Sequence, residues 1–220
     1  RELVAAQFGD HIREDILQNR AIVCAVGALL DYLIETQKSD ISYIKDLSIY
    51  QEGQYLEMDI NTRRNLELTA TMRSKEKKGS LLWVLDKTKT AMGARTLRTM
   101  TQQPLVNKDM IEERLDAVEY FYNEIIIREE IRECLNPIYD LERLLAKVSY
   151  KTINPKDMIA IRESLRMIPH IKQSIMDCKV PLIEKLYNDI DPLIDIFDKI
   201  DRAIEEDPPF SVREGGIIKD

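Results

Sequence analysis

The chain has 220 residues, of which 44% are hydrophobic and 32% charged, with a net charge of −7. That length holds one large domain or two small ones, and the hydrophobic share suffices for a sizeable core. Only seven glycines favour helices over sheets, and the acidic balance argues against a protein built mainly to coat nucleic acid. Cys24, Cys134 and Cys178 are far apart and odd in number, so no zinc or redox spacing is legible. Buried, reduced thiols in a cytosolic protein are expected. No signal peptide is visible, and the longest apolar run, residues 21–30, is too short to span a bilayer.

Residues 1–19 are mixed and weakly patterned. Residues 20–37 read as a helix with Ile22, Ala25, Ala28 or Leu29, and Leu33 at helical spacing. Gly27 lies inside it at a cost of about 1 kcal/mol against alanine, so close packing is expected there. Residues 47–50 and 55–58 are the convincing strand candidates, with Glu52-Gly53 as the turn between them. Asp59 or Asn61 can cap a helix running through Leu68, because a short side-chain oxygen accepts from a first-turn amide. RSKEKKG, residues 73–79, has no apolar period and reads as a loop. Ser80 is a cap for Leu81, Leu82, Val84 and Leu85. A further helix runs from about Thr90 to Gln103 and must stop before Pro104. Arg95 and Arg98 share one of its faces. Met92, Leu97 and Met100 point elsewhere, into a core.

From Asn107 onward the pattern is helical throughout. Asn107 caps, and Ile111, Leu115, Val118 and Tyr122 form one stripe. Asn136-Pro137, Asn154-Pro155 and Asp191-Pro192 each place a capping residue before a proline at the first helical position. Met158, Ile161, Leu165 and Ile168 form a second stripe, with Arg162 and Glu163 lying off it, and Pro169 breaks or kinks that helix. Pro181 and Pro192 open two more helices. Short loops between successive helices imply antiparallel neighbours.

Charge is unevenly spread. Residues 61–101 hold ten Lys/Arg against three Asp/Glu, a surplus of seven, in a chain of net −7; the remainder therefore carries −14. Arg63, Arg64, Arg95 and Arg98 are the candidate basic face. They either meet an anionic partner such as a DNA backbone or balance acidic helices of the same chain. Residues 189–207 carry eight acids against Lys199 and Arg202 and read as an exposed acidic helix. The adjacent pairs Glu112-Glu113 and Glu205-Glu206 do not face each other on a helix and read as solvated charges. Methionines at helical spacing read as core fillers. No catalytic constellation is legible. Lys77-Lys78-Gly79-Ser80 has the residues of a phosphate loop in the wrong order, and His11 and His170 have no nucleophile or metal partner nearby.

Several separated motifs resemble the core domain of the MutS family of DNA mismatch repair proteins, in the family's order and spacing. They are NTRRNLEL, GSLLWVLDKTKTAMGARTLR and QPL, then NKDMIEERLDAVEYF, PIYDLERLLAKVS and PKDMIAIRESLRMIP. Thr96, Met100 and Thr101 depart from the bulkier apolar residues usual in bacterial relatives. AVGALLDYLIETQK resembles the end of the family's connector domain, LSIYQEGQYLEMD its short strand pair, and DPPFSVREGGIIKD the exit towards its clamp. The resemblance implies a mainly α, antiparallel helical bundle with a short strand pair near 47–58. Residues 1–40 would end the connector, and 41–220 would form the first segment of the core, or lever. It implies a cytoplasmic, DNA-clasping homodimer that uses ATP and magnesium and recruits MutL. This segment would hold no cofactor or catalytic group, would not touch a membrane, and would pack on other domains of its parent. The alternatives from the residues alone are a free-standing helical interaction module and a weak nucleic-acid-binding module.

Overall fold

The computed structural model describes residues 2–9, 14–37, 41, 44–45, 47, 53–209 and 215–219. The chain divides into two compact units, Arg1–Gln51 and Glu52–Asp220. Among the described residues no helix is long and apolar enough to cross a membrane.

The first unit contains α1 (Glu2–Phe8), α2 (Glu14–Gln18) and α3 (Arg20–Gln37). Asn19 starts α3, its Oδ1 accepting from the amides of Ala21 and Ile22 at 3.1 and 3.3 Å. The weakly patterned N-terminus supplies two of the five buried core residues: Val4 and Phe8 bury against Val23, Leu30 and Ile41. The stripe on α3 is therefore only in part the one read from the sequence, with Leu33 common to both. Ala25, Ala28 and Leu29 are exposed, while Val23, Val26, Leu30 and Leu33 face the core. A helix that is apolar almost all round fits several stripes, and only its partner decides between them. Gly27 lies beside Val4, but a Cβ there would sit 3.8 Å from that side chain, an ordinary contact. Gln7 bonds the carbonyls of Ile41 and Ile44, both at 2.9 Å, and pins the segment after α3. Cys24 is exposed and Cys134 half-buried, so of the three free thiols only Cys178 matches the expected burial.

The second unit is mainly helical. Of the expected strand pair, residues 48–52 lie outside the described ones. Residues 55–58 form no strand; Tyr55 makes an isolated antiparallel bridge to Leu105, with Leu56 N bonded to Pro104 O at 2.8 Å. Next come α4 (Ile60–Asn65), α5 (Leu81–Leu85), α6 (Ala91–Gln102), α7 (Lys108–Asn123) and α8 (Ile125–Leu135). Then follow α9 (Leu141–Ser149), α10 (Pro155–Ser174), α11 (Pro181–Asp189) and α12 (Ile194–Ala203). The expected caps at Asp59, Ser80, Asn107 and Asn154 all bond first-turn amides, as does Thr90, which was expected only as the start of its helix. Asn154 and Asp157 form a reciprocal box.

Two of the proline devices are not used. Asn136 ends α8, and Asp140 rather than Asn136 caps α9. Asp191 turns back to accept from Leu193 N at 3.0 Å, so α12 starts two residues beyond Pro192. Pro181 does open α11. Pro169 does not break α10, which continues to Ser174; it lies on the exposed side and removes one donor only.

The 20-residue α10 joins two cores. Its Ile161 and Leu165 bury with Leu144 of α9 and Ile200 of α12, with Met158 and Ile168 packed alongside. Ile175, just past its end, buries with Ala117 of α7, Cys178 and Ile183 of α11. Burying Ile161 and Leu165 is worth about 1.5–3 kcal/mol each. Not all methionines fill cores: Met72, Met100, Met110 and Met176 are exposed.

Candidate functional site

The basic segment is built on α4 and the turns after it. Asp59 Oδ1 accepts from Thr62 N, and this bond holds its carboxyl below the usual range. The cap starts α4, which ends at Asn65 rather than Leu68 and carries Arg63 and Arg64 in its last turn. The residues after it, expected as a plain loop, are tied at several points. Leu81 N and Leu82 N bond the carbonyls of Glu67 and Leu68 at 3.1 and 2.9 Å, and Met72 N bonds Glu67 Oε1 at 2.6 Å. Gly79 has φ +94°, and a Cβ there would press within 3.1 Å of Thr71 Cγ2, so glycine fits on both counts. The result is a cleft of about 400 Å³ lined by Arg63, Arg64, Thr69, Thr71, Met72 and Lys75. Arg63 is half-buried and Arg64 exposed. Arg63 Nε is buried with no hydrogen-bond partner among the described residues.

Arg95 is used differently. Its Nη1 and Nη2 donate to both oxygens of Asp140 at 2.8 and 2.6 Å, and Nε donates to Glu142 at 2.7 Å. These bonds hold the guanidinium well above its usual pKa and the Asp140 carboxyl below its own. The contact ties α6 to the start of α9. Arg98, three residues on, is exposed and makes no ion pair among the described residues. The four arginines are thus sorted: Arg63 and Arg64 share one cleft, Arg95 is spent on acids of the same chain, and Arg98 lines neither that cleft nor the one beside Arg95. Met100, expected in a core, is exposed. Thr96 and Thr101 return their hydroxyls to the carbonyls of Met92 and Leu97 at 3.1 and 2.8 Å, which suits the polar residues standing there.

The most buried charge among the described residues is one the sequence reading left on the outside. Arg162 is 2% exposed. It donates to Glu163, to Asp201 of α12 and to both oxygens of Glu206, at 2.8–3.0 Å. The signal was present in the spacing. Residue 162 is four after Met158 and three before Leu165, so it stands on the apolar stripe and not beside it. Glu206, read as a solvated charge, is its main partner, and this bond holds the Glu206 carboxyl down to about 2. Three of the eight acids in the 189–207 run are thus paired, while Asp189, Asp191, Asp195 and Asp198 stay exposed as expected. Asp201 and Glu206 meet Arg162, and Asp207 meets Lys156 at 3.7 Å.

Among the described residues an apolar face of α7 stays uncovered. On α7 the Ile111, Leu115, Val118 and Tyr122 stripe is exposed, rising to 74% at Tyr122, while Ala117, Tyr120 and Phe121 pack inward. Ile125 and Ile126 at the start of α8 are exposed as well. The spacings of four, three and four are those of a helix seam that takes another helix.

Together these features define a helical scaffold segment: one long helix joining two small cores, fastened by ion pairs and bearing an outward apolar face. The sequence model of the family described as MutS domain III matches residues 61–220. The DNA mismatch repair protein MutS of Lachnoclostridium phytofermentans is 52% identical over 90% of this chain, which covers 21% of that relative. Those of Acetivibrio thermocellus and Caldanaerobacter subterraneus are 45% and 44% identical over 100% of this chain, covering 26% and 25% of theirs. The chain belongs to the MutS family and contains its domain III. It spans about a quarter of the length of these curated relatives.

Proposed function

We propose that this chain is the core, or lever, segment of a DNA mismatch repair ATPase, and that it relays the nucleotide state to the parts that clasp DNA. The observation that carries the reading is α10. It buries residues in one core with α9 and α12 and, at its far end, meets another with α7 and α11. A helix packed at both ends moves as a body and can pass a displacement on, where a flexible segment would absorb it. The relatives are all DNA mismatch repair proteins, which supports the mismatch repair part of the reading. In this reading ATP and magnesium bind outside the segment, which is not itself catalytic. The parent is a cytoplasmic homodimer that holds mismatched DNA and recruits MutL. Residues 1–40 close the connector, and 41–220 begin the core.

The exposed seam on α7 favours a partner helix, as a free-standing interaction module would also require. Within a quarter-length piece, the proposed covering is the rest of the parent. The test is to soften α10 in the full-length protein with Arg166→Gly and His170→Gly, both at exposed positions flanking Pro169. Hydrolysis and DNA binding each persist, and the ATP-driven release of DNA weakens. Full release from the folded variant overturns the reading.

A further inference from the structure

All five N–H donors of Arg162 are taken: Nε by Glu163, Nη1 by Asp201 and Glu206, Nη2 by Glu163 and Glu206. A planar guanidinium can do this; a lysine ammonium has three donors and cannot grip two oxygens of one carboxylate in the same fork. Glu163 and Arg162 are neighbours on α10 and Asp201 is on α12, but Glu206 lies three residues past the end of α12. There the chain meets its own last described residues. Ile204 bridges Ile218, Glu205 N bonds Ile217 O at 2.9 Å, and Lys219 N bonds Ala203 O at 3.0 Å. Lys219 Nζ donates to Asp201 O at 2.8 Å and stands 3.6 Å from Glu206. A single bridge of this kind is weak by itself, since even a two-stranded hairpin is marginal in water. A buried cation whose partners lie on both sides of the bridge's first arm changes that.

We propose that Arg162 is a positioning residue for the paired 204–206 and 217–219 segments. By gripping Asp201 and Glu206, with Lys219 as a second clip, it fastens both segments to α10, so that they turn with that helix. The fastening stands on the geometry alone; its consequence for release of DNA rests on the scaffold reading above.

The test is amide hydrogen exchange on the 220-residue chain and on Glu206→Gln and Arg162→Lys. Glutamine keeps the shape of residue 206 and loses its charge; lysine keeps the charge of residue 162 and loses the fork. Both variants should raise exchange at the bridge donors Glu205 and Lys219 at least tenfold and leave Ile161 and Leu165 within twofold. Unchanged exchange at Glu205 and Lys219 in both variants overturns the proposal. So does an equal rise at all four amides, which would make Arg162 a general prop of the core. Release of mismatched DNA by the full-length Glu206→Gln protein separates the two ideas. A loosened bridge with unaltered release leaves the fastening intact and refutes the scaffold reading.

Discussion

Ser164 offers a sharp test of how α10 holds its neighbours. Its side chain is fully buried. Its Oγ donates to Ala160 O at 2.8 Å and accepts from Tyr139 N at 3.0 Å, which fixes the turn between α8 and α9 against α10. Ser164→Ala removes both bonds with almost no change of volume. Two effects oppose each other. Alanine is the better helix former by about 0.5 kcal/mol. Against that, the Tyr139 amide loses its partner, and an unsatisfied buried donor costs about 1–3 kcal/mol. The Ala160 carbonyl keeps a second route through the helix ladder, so its loss counts little. The net expectation is about 1–2 kcal/mol of destabilisation, a fall of about 3–6 °C in melting temperature for a chain of this size. Urea unfolding at pH 7, followed by circular dichroism, measures it. Leu165→Ala, one residue on, leaves a cavity instead and should cost about 2–5 kcal/mol. A Ser164→Ala protein as stable as the wild type, or more so, would show that Tyr139 finds another acceptor and that this bond does not fasten the turn.

Three further outcomes follow from the sorted charges. Duplex DNA should bind the chain weakly at low salt, lose it near physiological salt and show no preference for a mismatch. Arg63→Gln with Arg64→Gln should lower that binding and Arg95→Gln should not; fluorescence anisotropy across a salt series decides. The Asp86 and Glu206 carboxyls are each held down to about 2, from 3.8 and 4.5, by hydrogen bonds from Lys77 and Arg162 respectively. Carboxyls whose folded pKa is depressed stabilise fully above their unfolded values and lose that contribution as pH falls from about 4.5 through about 2. The urea midpoint should therefore drop over that window, and Glu206→Gln should flatten the drop, with Lys219, Asp201 and Glu163 left around Arg162.

What could be read beforehand was local. A cap needs a short polar side chain three residues from an open amide, so Asp59, Ser80, Asn107 and Asn154 announce themselves. Pro104 closes α6 for an equally local reason. The Ile161 and Leu165 stripe was legible because polar residues flank it. Four things were not. The period of α7 shows where its apolar face is, but the face is exposed, since a period says nothing about what covers it. Arg162 was put outside because a charge is assumed to be solvated, although its position on the stripe places it inside with its acids. Arg95 and Arg98 share a helix and a charge, yet only Arg95 has acids from α9 within reach, and that is a fact of packing. Tyr55 pairing with Leu105 is likewise a long-range choice that no short pattern contains.

The relay itself is tested most directly by one rate: dissociation of mismatched DNA from the full-length protein on addition of ATP, followed by stopped-flow fluorescence. Arg166→Gly with His170→Gly removes about 1 kcal/mol of helix propensity from exposed positions, together with the Arg166 ion pair to Glu163 and its cation–π contact with Phe197 of α12. The account predicts release at least fivefold slower, with ATP hydrolysis and DNA affinity each within twofold of the wild type. A folded variant that releases DNA at the wild-type rate would contradict it.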